Sequence, residues 1–211
     1  ALGATDGRLY AFAIDPATGT LTLVAAPSAG GTHAAALGIE PRGRSLYVLH
    51  PHEGRVTMFR LDAASGVPAP AQTIAVKDPS AIAFERTGRF LYVASPGHDA
   101  VFGYRISQAN GTLTESSVEV LDSPRPGALA IDPTNRFLYA TSATAATVVR
   151  LAIDGADGRL QELSSEPAGG RPVAVAIAHA IERFLFTRDD WDDPSVHAIR
   201  IGATDGTLSA A

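Results

Sequence analysis

One motif written four times constrains this chain more than any other feature. Arg44, Arg89, Arg136 and Arg183 recur at intervals of 45, 47 and 47 residues, and Tyr47, Tyr92, Tyr139 and Phe186 follow them at the same spacing. A fixed period of this length means stacked copies of one supersecondary unit, none of which can bury its apolar face alone. The copy over residues 126–150 shows the unit most clearly. Apolar residues 128–131 break at Asp132-Pro133-Thr134-Asn135 and resume as Phe137-Leu138-Tyr139-Ala140, which reads as strand, tight turn, strand. Asn135 stands where the turn needs a left-handed backbone, and Gly43 and Gly88 at the equivalent positions supply it without steric cost.

A second marker follows each unit: a glycine with an apolar residue or proline two places on, as in Gly19-Thr20-Leu21, Gly66-Val67-Pro68, Gly111-Thr112-Leu113, Gly158-Arg159-Leu160 and Gly206-Thr207-Leu208. Between the markers lies a third strand in each copy, at 9–14, 56–61, 101–106, 147–153 and 196–201, and a weaker fourth strand is expected after the glycine. Four short strands per period of roughly 47 residues match the blade of a β-propeller. The predicted fold is therefore all-β, built from four-stranded antiparallel blades. With 20 glycines, 14 prolines and no sustained 3.6-residue periodicity, almost no helix is expected.

Residues 1–211 then form one partial propeller domain: a half blade at 1–30 and successive blades at 31–77, 78–122, 123–169 and 170–211. A closed seven-blade ring at this period takes roughly 330 residues. The expectation is thus a fragment of a larger ring, or a chain that self-associates through open blade edges to complete one. The formal charge of −5 and pI near 5.6 give no electrostatic reason to expect nucleic acid or a membrane surface as partner. The absence of cysteine excludes disulfides and thiolate metal sites. Neither a signal peptide nor an apolar run of spanning length is visible, which leaves cytoplasm and periplasm both open.

With Gly-x-Pro or Pro-x-Pro before an apolar strand, then Asp-Pro-x-Gly/Asn-Arg-x-Leu-Tyr-Val, a short loop, a strand and Asp-x-x-x-Gly-x-Leu, the chain resembles the lactonase-type seven-bladed β-propeller family over essentially its whole length. That family includes bacterial 6-phosphogluconolactonases, fungal carboxymuconate cyclases and YVTN-repeat proteins. The resemblance implies the fold more specifically than the activity, since function sits in loops grafted onto such scaffolds.

Strand order separates those loops into two faces. If the innermost strand runs downward, the repetitive first-to-second and third-to-fourth turns share the bottom, while second-to-third loops and blade-to-blade loops share the top. The top collects His33, His50, His52, Glu53, His98, Asp99, Arg125, Arg171 and the run Asp189-Asp190-Trp191-Asp192-Asp193. His179 falls in a bottom turn and His197 in a strand, where structural roles are expected. Hydrolysis of a lactone needs a base or activated water near the ester carbon and a donor where the oxyanion develops, for which His33, His98 and Arg125 are the candidate catalytic groups. His50, His52, Glu53, Asp99, Arg171 and Trp191 are the candidate ligand-binding residues.

The resemblance also implies that a histidine commonly follows the proline or arginine of the lead-in loop, with acids at the start of some second-to-third loops. Gly31-Thr32-His33 keeps the histidine and Ser123-Pro124-Arg125 keeps the arginine. Pro126, Lys77-Asp78-Pro79-Ser80 and Ser142 depart from the pattern, so the catalytic set reads as weakened or absent. His50-Pro51-His52-Glu53 has the density of a metal site but reads as a solvated polar loop, and the acidic run lacks the spaced ligands of a calcium loop. No metal or cofactor is expected. Arg44, Arg89, Arg136 and Arg183 read as framework, covering blade edges with their aliphatic stems. The leading expectation is a lactonase-like binding or scaffold module that holds a small molecule (a lactone or sugar phosphate) or a protein on its loop-rich face. The alternatives are a metal-independent lactone hydrolase of the 6-phosphogluconolactonase type and an inactive fragment of a larger propeller.

Overall fold

The computed structural model describes residues 7–178, 183–189, 195–202 and 204–210, and their regular structure is β-strand apart from two single 3-10 turns, Pro51–Glu53 and Pro96–His98. A two-stranded sheet of β1 (Ala11–Ile14) and β2 (Leu21–Ala25) comes first. Four antiparallel sheets of four strands follow in sequence order: β3 (Ala36–Ile39), β4 (Ser45–His50), β5 (Arg55–Leu61) and β6 (Pro68–Ala75), then β7 (Ala81–Phe84), β8 (Phe90–Ser95), β9 (Ala100–Ile106) and β10 (Leu113–Val120). The third contains β11 (Pro126–Ile131), β12 (Phe137–Ser142), β13 (Thr147–Ile153) and β14 (Leu160–Pro167), the fourth β15 (Pro172–Ala178), β16 (Arg183–Asp189), β17 (Val196–Ile201) and β18 (Leu208–Ala210). Each strand pairs with its sequence neighbour, and the innermost strands of successive sheets (β3, β7, β11 and β15) lie side by side.

The apolar core is divided into layers between sheets. Every residue of β4, β8 and β12 is buried, because a second strand packs on both faces and alternate side chains serve different neighbours. Tyr47 and Leu49 of β4 face the following sheet and pack with Leu91, Val93, Tyr104 and Ile106. Leu46 and Val48 face the preceding sheet and pack with Leu9 and Ala29. The layer then repeats: Phe90 and Tyr92 meet Leu138, Val149 and Leu151, and Phe137 and Tyr139 meet Leu185, Ile199 and Ile201.

The repeat's marker residues join the blades at the turn face. Tyr47, Tyr92 and Tyr139 each donate a hydrogen bond across the interface to the carbonyl of the turn glycine in the next blade: Gly111 at 2.7 Å, Gly158 at 3.0 Å and Gly206 at 2.9 Å. The arginines do more than cover edges with their stems. Arg44, Arg89 and Arg136 donate to the next blade's turn at Gln108, Gly155 and Thr204. Within the first-to-second turns a buried carboxylate organises the backbone: Asp132 accepts from the N–H groups of Thr134, Arg136 and Phe137, and Glu40 accepts from those of Arg42 and Arg44. Gly43, Gly88 and Asn135 take φ values of 70°, 71° and 59°, the left-handed conformation expected of them.

The fourth strands of the first three four-stranded blades are not weak. β6, β10 and β14 run eight residues each, the longest in the molecule's described part. They are outer strands with one wet face, so threonine, serine and glutamate alternate with apolar residues and blur the strand signal.

Candidate functional site

The end of the molecule opposite those turns carries the second-to-third loops and the lead-in loops, and backbone bonds tie the two sets together. Val76 N–H donates to Gly54 O, Leu121 N–H to Asp99 O and Ala168 N–H to Ala146 O. The accepting residues share one repeat position and a left-handed backbone, with φ of 61° at Gly54, 52° at Asp99 and 57° at Ala146. A second left-handed position precedes three of the innermost strands, β3, β7 and β11, and holds His33, Asp78 and Arg125, at φ of 52°, 50° and 56°. Side chains other than glycine pay for this conformation, and such strain concentrates at functional rims. His33 and Arg125, read separately from the sequence as candidates, are thus equivalent residues of different blades.

The last residue of each second strand is polar and buried: His50, Ser95, Ser142 and Asp189. Ser95 Oγ donates to Lys77 O and Ser142 Oγ to Pro124 O, both at 2.5 Å, which fastens the strand to its lead-in loop. His50 makes the same kind of tie through Nε2 to Ala29 O at 3.1 Å. A carbonyl only accepts, so Nε2 carries the proton and Nδ1 of the neutral ring is left as an acceptor. That Nδ1 is buried and has no hydrogen-bond partner among the described residues. His50 is therefore no solvated loop residue. The apolar run that precedes it continues the strand to its position, and the loop begins at Pro51.

Around His50 the first four-stranded blade builds a polar notch. A Cβ on Gly31 would collide with Glu53 Oε2 and lie 2.6 Å from the Arg55 guanidinium and 2.9 Å from His50 Nδ1, so only glycine admits the three groups together. Glu53 Oε1 accepts from the Thr32 N–H and, at 2.7 Å, from the Thr32 hydroxyl, while Oε2 pairs with Arg55. The Thr32 hydroxyl first, then its N–H, hold the Glu53 carboxyl below the usual carboxylate range, with partial desolvation opposing them and the charge of Arg55 adding to them. Arg55 also donates to Gly30 O. At the mouth of the notch the exposed rings of His33 and His52 meet edge to face, 5.3 Å apart.

His98, Asp99 and Arg125 form a separate group in the next blades. His98 Nδ1 lies 2.9 Å from Ser95 Oγ, and since that hydroxyl donates to Lys77, His98 Nδ1 carries the proton and donates. Asp99 Oδ1 accepts from the Arg125 N–H at 2.9 Å, and the exposed Arg125 guanidinium bonds to no group among the described residues. Arg171 is exposed just before β15. Trp191, with Asp190, Asp192 and Asp193, lies outside the described residues, as does His179. No three His, Asp or Glu side chains among the described residues converge on a point that could hold a metal ion.

The last blade holds a cluster the sequence reading missed. Buried Asp189 accepts from Ser195 Oγ at 3.0 Å and faces His197 Nε2 at 3.1 Å, and Ser195 Oγ also lies 2.9 Å from that same nitrogen. The composition is that of a nucleophile triad but the geometry is not. A relay needs one imidazole nitrogen on the carboxylate and the other on the hydroxyl. The signal available in the sequence was Ser195 and His197 two apart on one strand face, opposite a polar strand-end residue.

Antiparallel four-stranded blades packed face to face, with repetitive turns at one end and irregular polar loops at the other, define a β-propeller. The chain belongs to the lactonase family of seven-bladed β-propellers, whose model matches residues 4–84 and 67–177. Solved structures agree on the fold. Two proteins each described as a "putative 6-phosphogluconolactonase" superpose over 97% of this chain: one from Bacteroides uniformis with TM-score 0.84 and 16% identity, one from Bacteroides fragilis with TM-score 0.80 and 18% identity. The chain spans 64% and 63% of their respective lengths. The periplasmic gluconolactonase of Pseudomonas aeruginosa aligns with TM-score 0.57 and 16% identity, over 99% of this chain and 79% of its own. No curated protein sequence matches the chain. Among the described residues no helix is long and apolar enough to cross a membrane.

Proposed function

We propose that the loop-bearing rim is a binding surface for a small hydroxylated or anionic molecule, of the lactone or sugar phosphate class, with the Gly31 notch as its centre. The observation that carries this reading is the buried, unpartnered Nδ1 of His50 behind Gly31, since a buried acceptor without a donor is costly until a hydroxyl or water supplies one. His33 and His52 flank the opening, and Arg125 offers a guanidinium to an anion on the neighbouring blade. The tied groups favour binding over chemistry. Ser95 and Ser142, where acids would open a catalytic loop, are committed to lead-in carbonyls, and His98 and Asp99 are committed to their neighbours.

The test is a titration of the full chain with glucono-δ-lactone and, separately, 6-phosphogluconate, followed by the imidazole nitrogen resonances. Ligand binding at the notch shifts His50 and His33 or His52, and His33→Ala weakens it. Saturable binding that leaves those imidazoles unmoved would place the site elsewhere. A second reading, a metal-independent lactone hydrolase using His33, His98 and Arg125, draws support from the descriptions of the two Bacteroides relatives. Its measure is 6-phosphogluconolactone hydrolysis above the spontaneous rate, lost in His33→Ala. A parent protein that adds nothing to the spontaneous rate rules it out.

A further inference from the structure

Charge breaks the repeat at one place on the turn face. A groove of about 340 Å³ opens there between the first two four-stranded blades, a size at the lower end of small-molecule sites. Buried Ser45 and the Met58 methyl, packed against Gly111, close its floor. The exposed Arg42, Arg44 and Arg60 line it above that floor. Departures from the repeat explain why so much positive charge collects here. Arg42 holds the position of Thr87 and Thr134, whose hydroxyls donate to the buried carboxylates of Glu85 and Asp132. The facing turn has Ser107 and Asn110 where the next blade's turn has Asp154 and Asp157, and where the last blade's has Asp205 in the place of Asn110. Asn110 Oδ1 still accepts from the Thr112 N–H at 3.1 Å, as Asp157 does from Arg159 at 3.0 Å and Asp205 from Thr207 at 3.1 Å. The turn needs that acceptor and not its charge, so asparagine removes the charge alone.

The neighbouring interface shows the balance that is missing. After burial, Glu85, Asp157 and Asp154 raise the Tyr92 phenol, whereas Glu40 is the one acid that raises the equivalent Tyr47. Arg89 and Arg105 there also lie over the Phe90 ring, each 5.1 Å from its centroid, a support that Ser45 cannot give Arg44 and Arg60. In the groove three arginines face Glu40 alone, whose oxygens already accept from the Arg42 and Arg44 backbone N–H groups, and two positive charges are left over. We infer that this groove binds a phosphomonoester dianion, its phosphate held among the guanidiniums of Arg42, Arg44 and Arg60. Donors remain for it. Arg44 reaches Gln108 O at 3.3 Å and Arg60 reaches Asn110 O at 3.5 Å, each through one nitrogen of a five-donor fork. The guanidiniums come from separate places on the groove wall, which suits the three oxygens of a tetrahedral phosphate better than the single edge of a carboxylate. The groove lies on the face opposite the Gly31 notch and does not depend on its reading.

Glycerol 3-phosphate is the probe, with inorganic phosphate alongside to separate the group from its ester, measured at constant ionic strength by calorimetry and by the arginine side-chain resonances of the full chain. Both should bind with Kd of about 1 mM and shift Arg42, Arg44 and Arg60. Acetate should bind about tenfold more weakly. Arg42→Thr and Asn110→Asp each restore the residue type that the repeat uses elsewhere, so the melting temperature should hold. The first should weaken binding about tenfold and the second about fivefold. His33→Ala and Arg125→Gln, on the opposite face, should leave these arginine shifts unchanged. Acetate bound as well as phosphate, inorganic phosphate bound while the ester is refused, undiminished binding in either turn-face variant, or no saturation up to about ten times that Kd overturns the inference.

Discussion

The interface between the second and third four-stranded blades hangs on a bond that a single oxygen atom decides. Tyr92→Phe removes the hydroxyl that donates to Gly158 O at 3.0 Å and leaves the ring, itself fully buried, in place. No cavity is made, so the cost is the net bond plus the penalty of a carbonyl left without its donor between two blades. A typical net hydrogen bond contributes about 1 kcal/mol and a stranded buried acceptor costs 1 to 3 kcal/mol, which together put the loss at about 2 kcal/mol. In a chain of 211 residues that lowers the melting temperature by about 5 °C. Urea unfolding is the assay: the midpoint falls and the slope stays constant, because the surface exposed on unfolding is unchanged. Tyr47→Phe and Tyr139→Phe act at different interfaces and should cost similar, additive amounts. A Tyr92→Phe protein within about 0.3 kcal/mol of the parent would show that water replaces the hydroxyl and that the repeated tyrosine is kept for its ring.

Buried phenols also make stability sensitive to alkali. Burial, more than any neighbouring charge, pushes Tyr47, Tyr92 and Tyr104 above the ordinary phenol value. Their folded pKa values exceed the unfolded one, so the contribution is complete below about pH 10 and is lost above it, with a slope approaching 1.4 kcal/mol per pH unit per phenol. Lys77 is the single lysine, so few other groups titrate there. Urea midpoints measured from about pH 8 to 11 should hold to about pH 10 and fall steeply above it, and a flat profile contradicts the burial argument. Gly158→Ala should cost about 3 kcal/mol or more, because φ is 80° and the new Cβ would sit 2.6 Å from Phe90 Cε1. Gly155→Ala, in the same turn with open space around it, should stay within about 0.5 kcal/mol. Equal losses in the two variants would mean that the turn, not its contact with Phe90, sets the cost.

How much of this the sequence shows follows from how each residue is held. Asn135, Gly43 and Gly88 were legible because a left-handed turn position is a local demand, met by residue type alone. The second strands were legible because burial on both faces writes an unbroken apolar run. Tyr92 and Arg89 stood out as repeats, but their partners, Gly158 O and Gly155 O, lie 66 residues away, and nothing local announces a carbonyl acceptor. His50 was legible as a top-face residue and misread as solvated. Pro51 marks the loop, yet the strand that buries His50 runs to the residue before it. Arg55 and Thr32 escaped because their roles exist only once Glu53 folds back over the lead-in loop.

A repeat satisfies its interfaces by repeating, so a position where one copy departs exposes what the others had solved. Phe90 and Phe137 set their rings against the turn glycine of the next blade, whereas the smaller Ser45 shares that place with the buried Met58 methyl, 2.6 Å from where a Gly111 Cβ would stand. Ser95 and Ser142 answer a lead-in carbonyl with one small hydroxyl, while His50 answers with a ring whose second nitrogen has no partner. Asp189 likewise holds a buried Oδ1 with no bond among the described residues, against Gly170, which stands where Gly31 does. Both departures pair a larger polar group at the strand end with a glycine in the lead-in loop, the one change that makes room for it. Two coupled substitutions of this kind at equivalent places in different blades are hard to explain by drift of a framework that serine already satisfies. They fit a rim whose blades carry different polar groups above a shared set of turn contacts, the tyrosine and arginine bonds to the next blade.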